Sequence, residues 1–416
     1  MYMDEKRPLI LHLITQAEYG GAQKYVEEIV TGLSDEFRFV VGAGELNKSH
    51  ELLIRLEKKG YYTLHLTQLH RSINPIHDIK ALLQMSRIIS HIKPDILHLH
   101  TSKISILGSL ATIISKRTLR IKGESYKPKI VYTSHGWVFN EKISQIQKWF
   151  YIAAEKISGV FKDVIIVLSK VDETVGKKYG IGKKSHYTII PNGITLDTSQ
   201  FIEKNDARAI LKKQTQAKTP HLSLHSSGKE LWIGVIANLY ENKGLDVLIR
   251  AMAHINRLQK EQPFDYAIKA IILGEGAIEQ KLRTEIIIHE LEEVVMLAGG
   301  TKDAWKYLNA FDIFCLPSYK EGFPYAVLEA MDAGIPCVVS SVGAMPEFIT
   351  NHENGLLVTP GDEEALQNAL LELIHHSDVR KKIGEAGQTT VHKHFTRKNF
   401  LEKISNLYNK QIDKRS

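Results

Sequence analysis

Residues 311–336 read FDIFCLPSYKEGFPYAVLEAMDAGIP, and few local structures satisfy that order of residues. The apolar run 311–316 predicts a short strand buried on both faces. Pro317 and Ser318 stop it, and residues 319–323 form a loop. Pro324 then stands at a first helical position, where the N–H it lacks would be unpaired anyway. Ala326, Val327, Ala330 and Met331 give the helix an apolar stripe, Gly334 closes it and Pro336 prevents its continuation. Strand, loop and helix in that order are the building unit of an open α/β sheet.

The unit recurs along the chain. Strands are predicted at 8–14, 37–41, 62–66, 96–100, 130–133, 164–168 and 188–190, with helices at 22–33, 49–59, 77–92 and 105–114 between them. A second series has strands at 231–237, 270–273, 294–297, 337–340 and 356–358, with helices at 245–255, 363–375 and 396–411. The polar, turn-rich residues 214–229 read as a loop insertion between the two series. Two parallel sheets, each covered by helices on both faces, follow from that alternation. A chain of 416 residues is also too long for one ordinary core, so two domains are expected, dividing near residue 195.

Composition excludes several classes. Hydrophobic content of 43% with 24% charged residues is that of a globular protein, and no apolar run approaches the roughly 20 residues of a membrane span. Lys6 and Arg7 precede only a short apolar stretch without a small-residue cleavage site, which reads as a first strand and not a leader. Cys315 and Cys337 lie in apolar runs and read as buried thiols, in keeping with a cytoplasmic setting. Basic residues are dispersed without interleaved aromatics, which argues against nucleic-acid binding. The net charge of +7 is uneven: residues 1–195 carry 28 Lys and Arg against 18 Asp and Glu, a balance of +10. An anionic partner for the first half is one reading of that balance, and solvated surface lysines are the other.

Candidate site residues cluster at strand-to-helix turns. Glu321 in the loop and Glu329 in the helix flank the turn, and the helix N-terminus between them offers N–H groups and a partial positive charge that suit a phosphate or a sugar oxygen. Gly20 and Gly21 follow the first strand, and either permit close approach of a ligand or supply a positive φ. They are not a dinucleotide fingerprint, since G-x-G-x-x-G is absent, and a dehydrogenase is poorly supported. Lys243 precedes a helix, the natural place for a phosphate-binding point charge. His98 and His100 share a strand face without an evident third metal ligand, so hydrogen-bonded histidines in a half-buried strand are the better reading. His135 sits at a strand end in YTSHG.

The E-x7-E pair, with Gly322-Phe323-Pro324 after the first acid and Ala333-Gly334-Ile335-Pro336 after the second, strongly resembles the nucleotide-sugar site of retaining GT-B glycosyltransferases of family 4. The resemblance spans nearly the whole chain and is densest over residues 231–362. It implies an α/β fold of two doubly wound Rossmann-like domains facing across a cleft: 1–195 on the acceptor side, 196–395 on the donor side, and a helix at 396–416 returning to the first. It also implies roles. Glu321 would bind donor-sugar hydroxyls, Glu329 the ribose hydroxyls, and Gly322 and Phe323 would offer backbone N–H groups ahead of Pro324. Gly20 and Gly21 would abut the sugar phosphate, Gly300 and Thr301 the nucleobase, and His135 a sugar hydroxyl at the reacting centre. Asn238 stands where family members usually carry an arginine, which leaves Lys243 as the main counter-charge to the pyrophosphate.

The expected activity is retaining transfer from a nucleoside-diphosphate sugar, UDP favoured over GDP, to a saccharide or lipid-linked acceptor. No D-x-D is present, so neither a metal nor any other cofactor is expected. A nucleotide-sugar epimerase of similar shape and a non-catalytic nucleotide-sugar-binding protein are the alternatives. The apolar run 105–114, trailed by Lys116, Arg117, Arg120 and Lys122, reads either as a core helix or as a contact with the inner face of an anionic membrane.

Overall fold

The computed structural model describes residues 7–44, 50–70, 72–140, 143–182, 186–218 and 229–414, which form two units. The first comprises Met1–Gly193 with Arg397–Ser416, and the second Ile194–Thr396.

In the first unit the chain runs β1 (Leu9–Ile14), α1 (Gly21–Gly32), β2 (Arg38–Ala43), α2 (Glu51–Lys58), β3 (Tyr62–His65), α3 (Pro75–Ile92) and β4 (Ile96–His100). It continues through α4 (Ser102–Ile121), β5 (Lys129–Ser134), α5 (Gln145–Gly159), β6 (Val164–Val167), α6 (Lys170–Lys178) and β7 (Tyr187–Ile189). The second unit holds α7 (Lys204–Lys218), β8 (Glu230–Ile236), α8 (Leu245–Glu261), β9 (Ala267–Leu273), α9 (Glu279–Ile288), β10 (Val295–Gly299) and β11 (Ile313–Leu316). After these come α10 (Tyr325–Asp332), β12 (Cys337–Ser340), α11 (Met345–Phe348), β13 (Leu356–Val358), α12 (Glu363–His375) and α13 (Ser377–His394). The last helix, α14 (Arg397–Asp413), belongs to the first unit, where Arg397 pairs with Glu28 of α1.

Both sheets are parallel, with orders β3-β2-β1-β4-β5-β6-β7 and β10-β9-β8-β11-β12-β13. In each, the chain winds outward one way and then crosses back to wind outward the other way. The strand order therefore reverses between β1 and β4 in the first unit and between β8 and β11 in the second. Loops leaving the carboxyl ends of such neighbours diverge, and ligands of open α/β sheets bind there. Lys243 lies on the loop after β8 and Glu321 on the loop after β11.

Several elements depart from the sequence reading. The helix predicted at 105–114 runs Ser102–Ile121 and takes in Lys116, Arg117 and Arg120. Its buried face sets small and hydroxyl residues, Ser105, Gly108, Ser109, Thr112 and Ser115, among the apolar Ile104, Ala111 and Leu119, while Leu110 and Ile121 are exposed. Ser109, Thr112 and Ser115 donate to the carbonyls four residues back at 2.7–2.8 Å, so they are buried without needing partners elsewhere. A Cβ on Gly108 would stand 2.5 Å from a Leu99 methyl, which measures how closely α4 lies on β4. Residues 214–218, expected in a loop, complete α7, with Ala207, Leu211 and Thr215 buried at four-residue spacing; 219–228 lie outside the described residues. Pro324 is extended, φ −74° and ψ 125°, and precedes α10 as its cap instead of opening it. Phe311 ends a preceding 3₁₀ turn, so that strand begins at Ile313. Cys315 and Cys337 are free and buried on adjacent strands, and burial pushes both thiols up.

Helix α5 buries an ion pair on its inner face beside Ile152. Glu155, its one acid, accepts from Lys162 at 2.8 Å, Tyr132 at 2.9 Å and Ser105 at 3.3 Å, and both charged side chains are fully buried. With Glu155 held inward, Ile146, Trp149, Phe150 and Ile157 face outward, followed by exposed Val160 and Phe161. Four apolar residues at 146, 149, 150 and 157 share one helix face.

Candidate functional site

In the second unit the chain around Lys243 is fixed by backbone geometry. Glu241–Lys243 form a 3₁₀ turn, and Gly244 caps α8 at φ 62°. A Cβ there would approach the Pro317 carbonyl oxygen to 2.1 Å, so both the dihedral and the contact require glycine. Tyr319 N–H donates to the Asn242 carbonyl at 2.9 Å, which ties the loop after β8 to the loop after β11. That places Lys243 Nζ 2.7 Å from Glu321 Oε1, and Ser318 Oγ donates to the same oxygen at 2.7 Å. The carboxylate is 8% exposed and the lysine 20%. A third loop braces the acid: Ala344 N–H donates to the Gly322 carbonyl at 3.0 Å, and Gly343, φ 56°, lies against the Glu321 carbonyl.

The remaining residues of this unit sit around that pair. Phe323 is buried and stacks on Phe348, so its side chain anchors the loop. Glu329 is buried on α10, one turn into the helix that Pro324 precedes. Asn238 is exposed on the loop after β8. Gly300 N–H donates to Glu275 at 3.1 Å and Thr301 Oγ1 to Gln214 of α7 at 3.4 Å. The segment expected as a loop thus supplies a partner of a predicted site residue.

In the first unit, Gly20 precedes α1 in extended conformation, φ −161°, which removes the positive-φ reading of the glycine pair. The start of α1 has no side-chain cap and no acid in its first turn. His135 follows β5, and Gly136 turns the chain away at φ 106°. His135 lies edge-on to Tyr25 of α1 and 3.3 Å from His100 through Nε2.

Behind His135 stands a cluster that the sequence reading resolves only in part. His98 and His100 are fully buried, not half-buried, and a third histidine joins them: His12 of β1, which the parallel register sets beside His98. Ring nitrogens of the three lie within 4.8 Å of one another, a grouping able to hold a metal. Burial pushes His12 down to about 3, and His98 and His100 well below the ordinary imidazole value, with the neighbouring imidazoles adding to the shift in the last two. His135, only partly buried, is lowered in the same direction by the burial it has.

A family model described as Glycosyl transferases group 1 matches residues 221–390, and one described as Glycosyltransferase Family 4 matches residues 19–198. The chain belongs to the family 4 glycosyltransferases. It is 28% identical over 310 residues, 73% of this chain and 72% of the relative, to the UDP-Gal:alpha-D-GlcNAc-diphosphoundecaprenol alpha-1,3-galactosyltransferase of Escherichia coli. It is 23% identical over 83% of its length to the capsular polysaccharide biosynthesis glycosyltransferase CapM of Staphylococcus aureus, covering 84% of that protein. Among solved structures, Anabaena HepE with UDP and glucose superposes with a TM-score of 0.77 at 20% identity, covering 96% of this chain and 99% of that one. The glycosyltransferase therefore has the α/β, two-domain GT-B fold.

Proposed function

We propose that this glycosyltransferase moves a sugar, with retention, from a UDP-sugar to an acceptor hydroxyl during assembly of a cell-surface polysaccharide. The observation that carries the reading is the Lys243–Glu321 pair at the sheet's reversal point, with Glu329 eight residues on. The relatives' names support the rest: one is a galactosyltransferase using UDP-Gal, another serves capsular polysaccharide, and HepE was solved with UDP-glucose.

Glycosyl transfer requires a nucleoside diphosphate to leave with its electrons, so negative charge grows on the pyrophosphate. Preorganised positive groups there give the largest benefit. Lys243, the amides at the start of α8 and those at Gly20 and Gly21 supply such a field, and a metal is not needed in this reading. Glu321 serves the sugar hydroxyls as an acceptor. Two donors already bind its Oε1, which makes it a poor nucleophile. Retention then follows from attack on the leaving group's own face, with a phosphate oxygen taking the proton. Gly322 and Phe323 face the sugar, Gly300 and Thr301 the base, and His135 a sugar hydroxyl.

Turnover of UDP-, GDP- and ADP-sugars, each with and without EDTA, tests the donor and the chemistry. UDP-sugar turnover unchanged by chelation is expected, and loss restored by magnesium or manganese sinks the metal-free scheme. The acids separate by calorimetric titration with the diphosphate alone. Glu329→Gln should weaken binding roughly 10–100-fold, the scale of one charge-assisted hydrogen bond. Glu321→Gln should leave affinity unchanged or tighten it, because Lys243 loses its carboxylate partner, yet it should damage transfer. Equal losses in both variants refute this division of roles.

The acceptor reading extends to an anionic membrane surface, with the contact on a different helix from the one the sequence points to. Trp149 and Phe150 of α5 are 62% and 55% exposed, and its cations Lys148 and Lys156 meet no exposed acid on that helix. On α3, Ile76, Ile79 and Leu83 are exposed as well. Among the described residues no helix is long and apolar enough to cross a membrane, so this contact is interfacial. In vesicle co-sedimentation, binding should rise with anionic lipid and fall with salt, and Trp149→Ser with Phe150→Ser should reduce it by roughly two orders of magnitude. Binding indifferent to lipid charge and to both substitutions leaves a soluble acceptor as the better reading.

A further inference from the structure

The histidine cluster forms one continuous chain of hydrogen bonds. His135 Nε2 lies 3.3 Å from His100 Nδ1, and His100 Nε2 lies 2.9 Å from His12 Nδ1. His12 Nε2 lies 3.4 Å from the Tyr408 hydroxyl of α14, which in turn is 2.6 Å from His98 Nδ1. His98 Nε2 lies 2.7 Å from Thr133 Oγ1, which is 3.3 Å from the Tyr25 hydroxyl. Every ring nitrogen of His12, His98 and His100 is therefore engaged, and all three rings are 0% exposed.

We infer that Tyr408, acting through His12 and His100, holds His135 as the Nε2–H tautomer, so that His135 meets its substrate with a bare, hydrogen-bond-accepting Nδ1. The inference rests on the reading that His135 contacts a sugar hydroxyl. Counting protons leaves two opposite senses for the chain, and the contact lengths choose between them. Each neutral imidazole carries one N–H, and each contact in the chain needs one proton between its two atoms. The Tyr408 hydroxyl has a single proton, and it belongs in the shorter contact, the 2.6 Å bond to His98 Nδ1. His98 then donates from Nε2 to Thr133. The Tyr408 oxygen is left to accept from His12 Nε2–H, which makes His12 Nδ1 an acceptor. His100 must donate to it from Nε2, so His100 Nδ1 accepts in turn, and His135 donates from Nε2. Among the described residues His135 Nδ1 has no protein partner. Reversing one link reverses them all. Tyr408 is thus a positioning residue, acting on the reacting group only through the histidines between them.

The same count predicts what removing the hydroxyl does. In Tyr408→Phe, His12 Nε2 faces a ring edge with no acceptor. A buried bare nitrogen is tolerated better than a buried unpaired N–H, so the His12 proton moves to Nδ1. His100 then donates from Nδ1, and His135 becomes the Nδ1–H tautomer, a donor where the parent has an acceptor. Ring-nitrogen NMR of the ¹⁵N-histidine-labelled chain reads this directly. The expected result is a single Nε2–H form at His135 in the parent and Nδ1–H in Tyr408→Phe, with kcat down roughly 10²-fold and donor KM within about twofold. Nδ1–H in the parent, or no change in the variant, overturns the inference without any activity measurement. A tautomer flip with kcat unchanged leaves the tautomer assignment standing and removes the reading of His135 at the sugar. One equivalent of metal found by elemental analysis on the purified chain, and lost in His12→Gln, also overturns it, because these nitrogens would then be ligands.

Discussion

Replacing Lys243 with alanine is expected to lower kcat/KM roughly 10²–10³-fold, the scale of one lost charge-stabilising contact, while the chain still folds. The lysine sits on a short turn and buries little apolar surface, so its stability cost is small. Its activity cost has two sources that a single substitution cannot separate. Lys243 presents positive charge to the leaving pyrophosphate, and it also neutralises Glu321, whose carboxylate is 8% exposed and otherwise accepts from Ser318. Alanine therefore removes a cation and leaves a largely buried anion beside an incoming anion. The double variant Lys243→Ala with Glu321→Gln tells the two apart. The readout is affinity for the product diphosphate, because Glu321→Gln by itself damages transfer. If Lys243 serves only to balance Glu321, affinity falls in the single variant and returns to the parent's in the double one; if it binds the diphosphate, affinity falls in both. A single variant within about threefold of the parent would mean that the phosphate site is elsewhere.

That pair is half legible in the sequence. Glu321, Gly322 and Pro324 announce themselves locally, because a strand stop, a loop and a helix start depend on residues within a few positions of one another. The strands 96–100, 337–340 and 356–358 are legible to the residue for the same reason. The partnership of Lys243 with Glu321 is not, since 78 residues separate them and only the reversal of strand order brings their loops together. His12 escapes the sequence on the same grounds. It is one residue in LHLI, and nothing near it says that a parallel register will set it against His98.

In two helices polar side chains share the inward face with core residues such as Ile104, Leu119 and Ile152, while other apolar side chains stay out. In α4, Ser109, Thr112 and Ser115 satisfy their own hydroxyls on the preceding turn and are small enough for close packing, so they go inward and Leu110 stays out. In α5, the inward position is claimed by Glu155 because Lys162 and Tyr132 wait for it, and the aromatic stripe is left facing out. Neither arrangement follows from the spacing of apolar side chains, because that spacing treats a serine or a glutamate alike whether or not a buried partner awaits it. Helix α7 is obscured differently: its polar composition hides the four-residue spacing of Ala207, Leu211 and Thr215.

The buried imidazoles should also make the first unit acid-labile, with an unusually steep loss of stability below pH 6.5. His12 is pushed down to about 3 in the folded chain, and His98 and His100 well below 6.5, whereas in the unfolded chain all three return to about 6.5. Between those values the unfolded chain binds protons that the folded one refuses, so stability rises with pH through the window and is lost as pH falls through it. Each group contributes up to about 1.4 kcal/mol per pH unit, and three fully buried rings together about 4 kcal/mol per unit once pH is well below 6.5. His135 is left out of that count because it is partly exposed. The Glu57 carboxyl, held below its ordinary value of 4.5 chiefly by the Thr63 hydroxyl, loses its contribution only as pH falls below that value, at the lower end of this window, and so adds to the loss there. Against a typical total of about 5–15 kcal/mol, the unit is expected to unfold by roughly pH 4. Urea melts at half-unit steps from about pH 7 to about 4.5 give the slope, and the dependence of unfolding heat on buffer ionisation gives the protons taken up. Uptake of more than one proton is expected as pH falls below 6.5. Uptake below one would mean that these rings already carry charge in the folded chain, and the neutral hydrogen-bond chain to Tyr408 would fall with it.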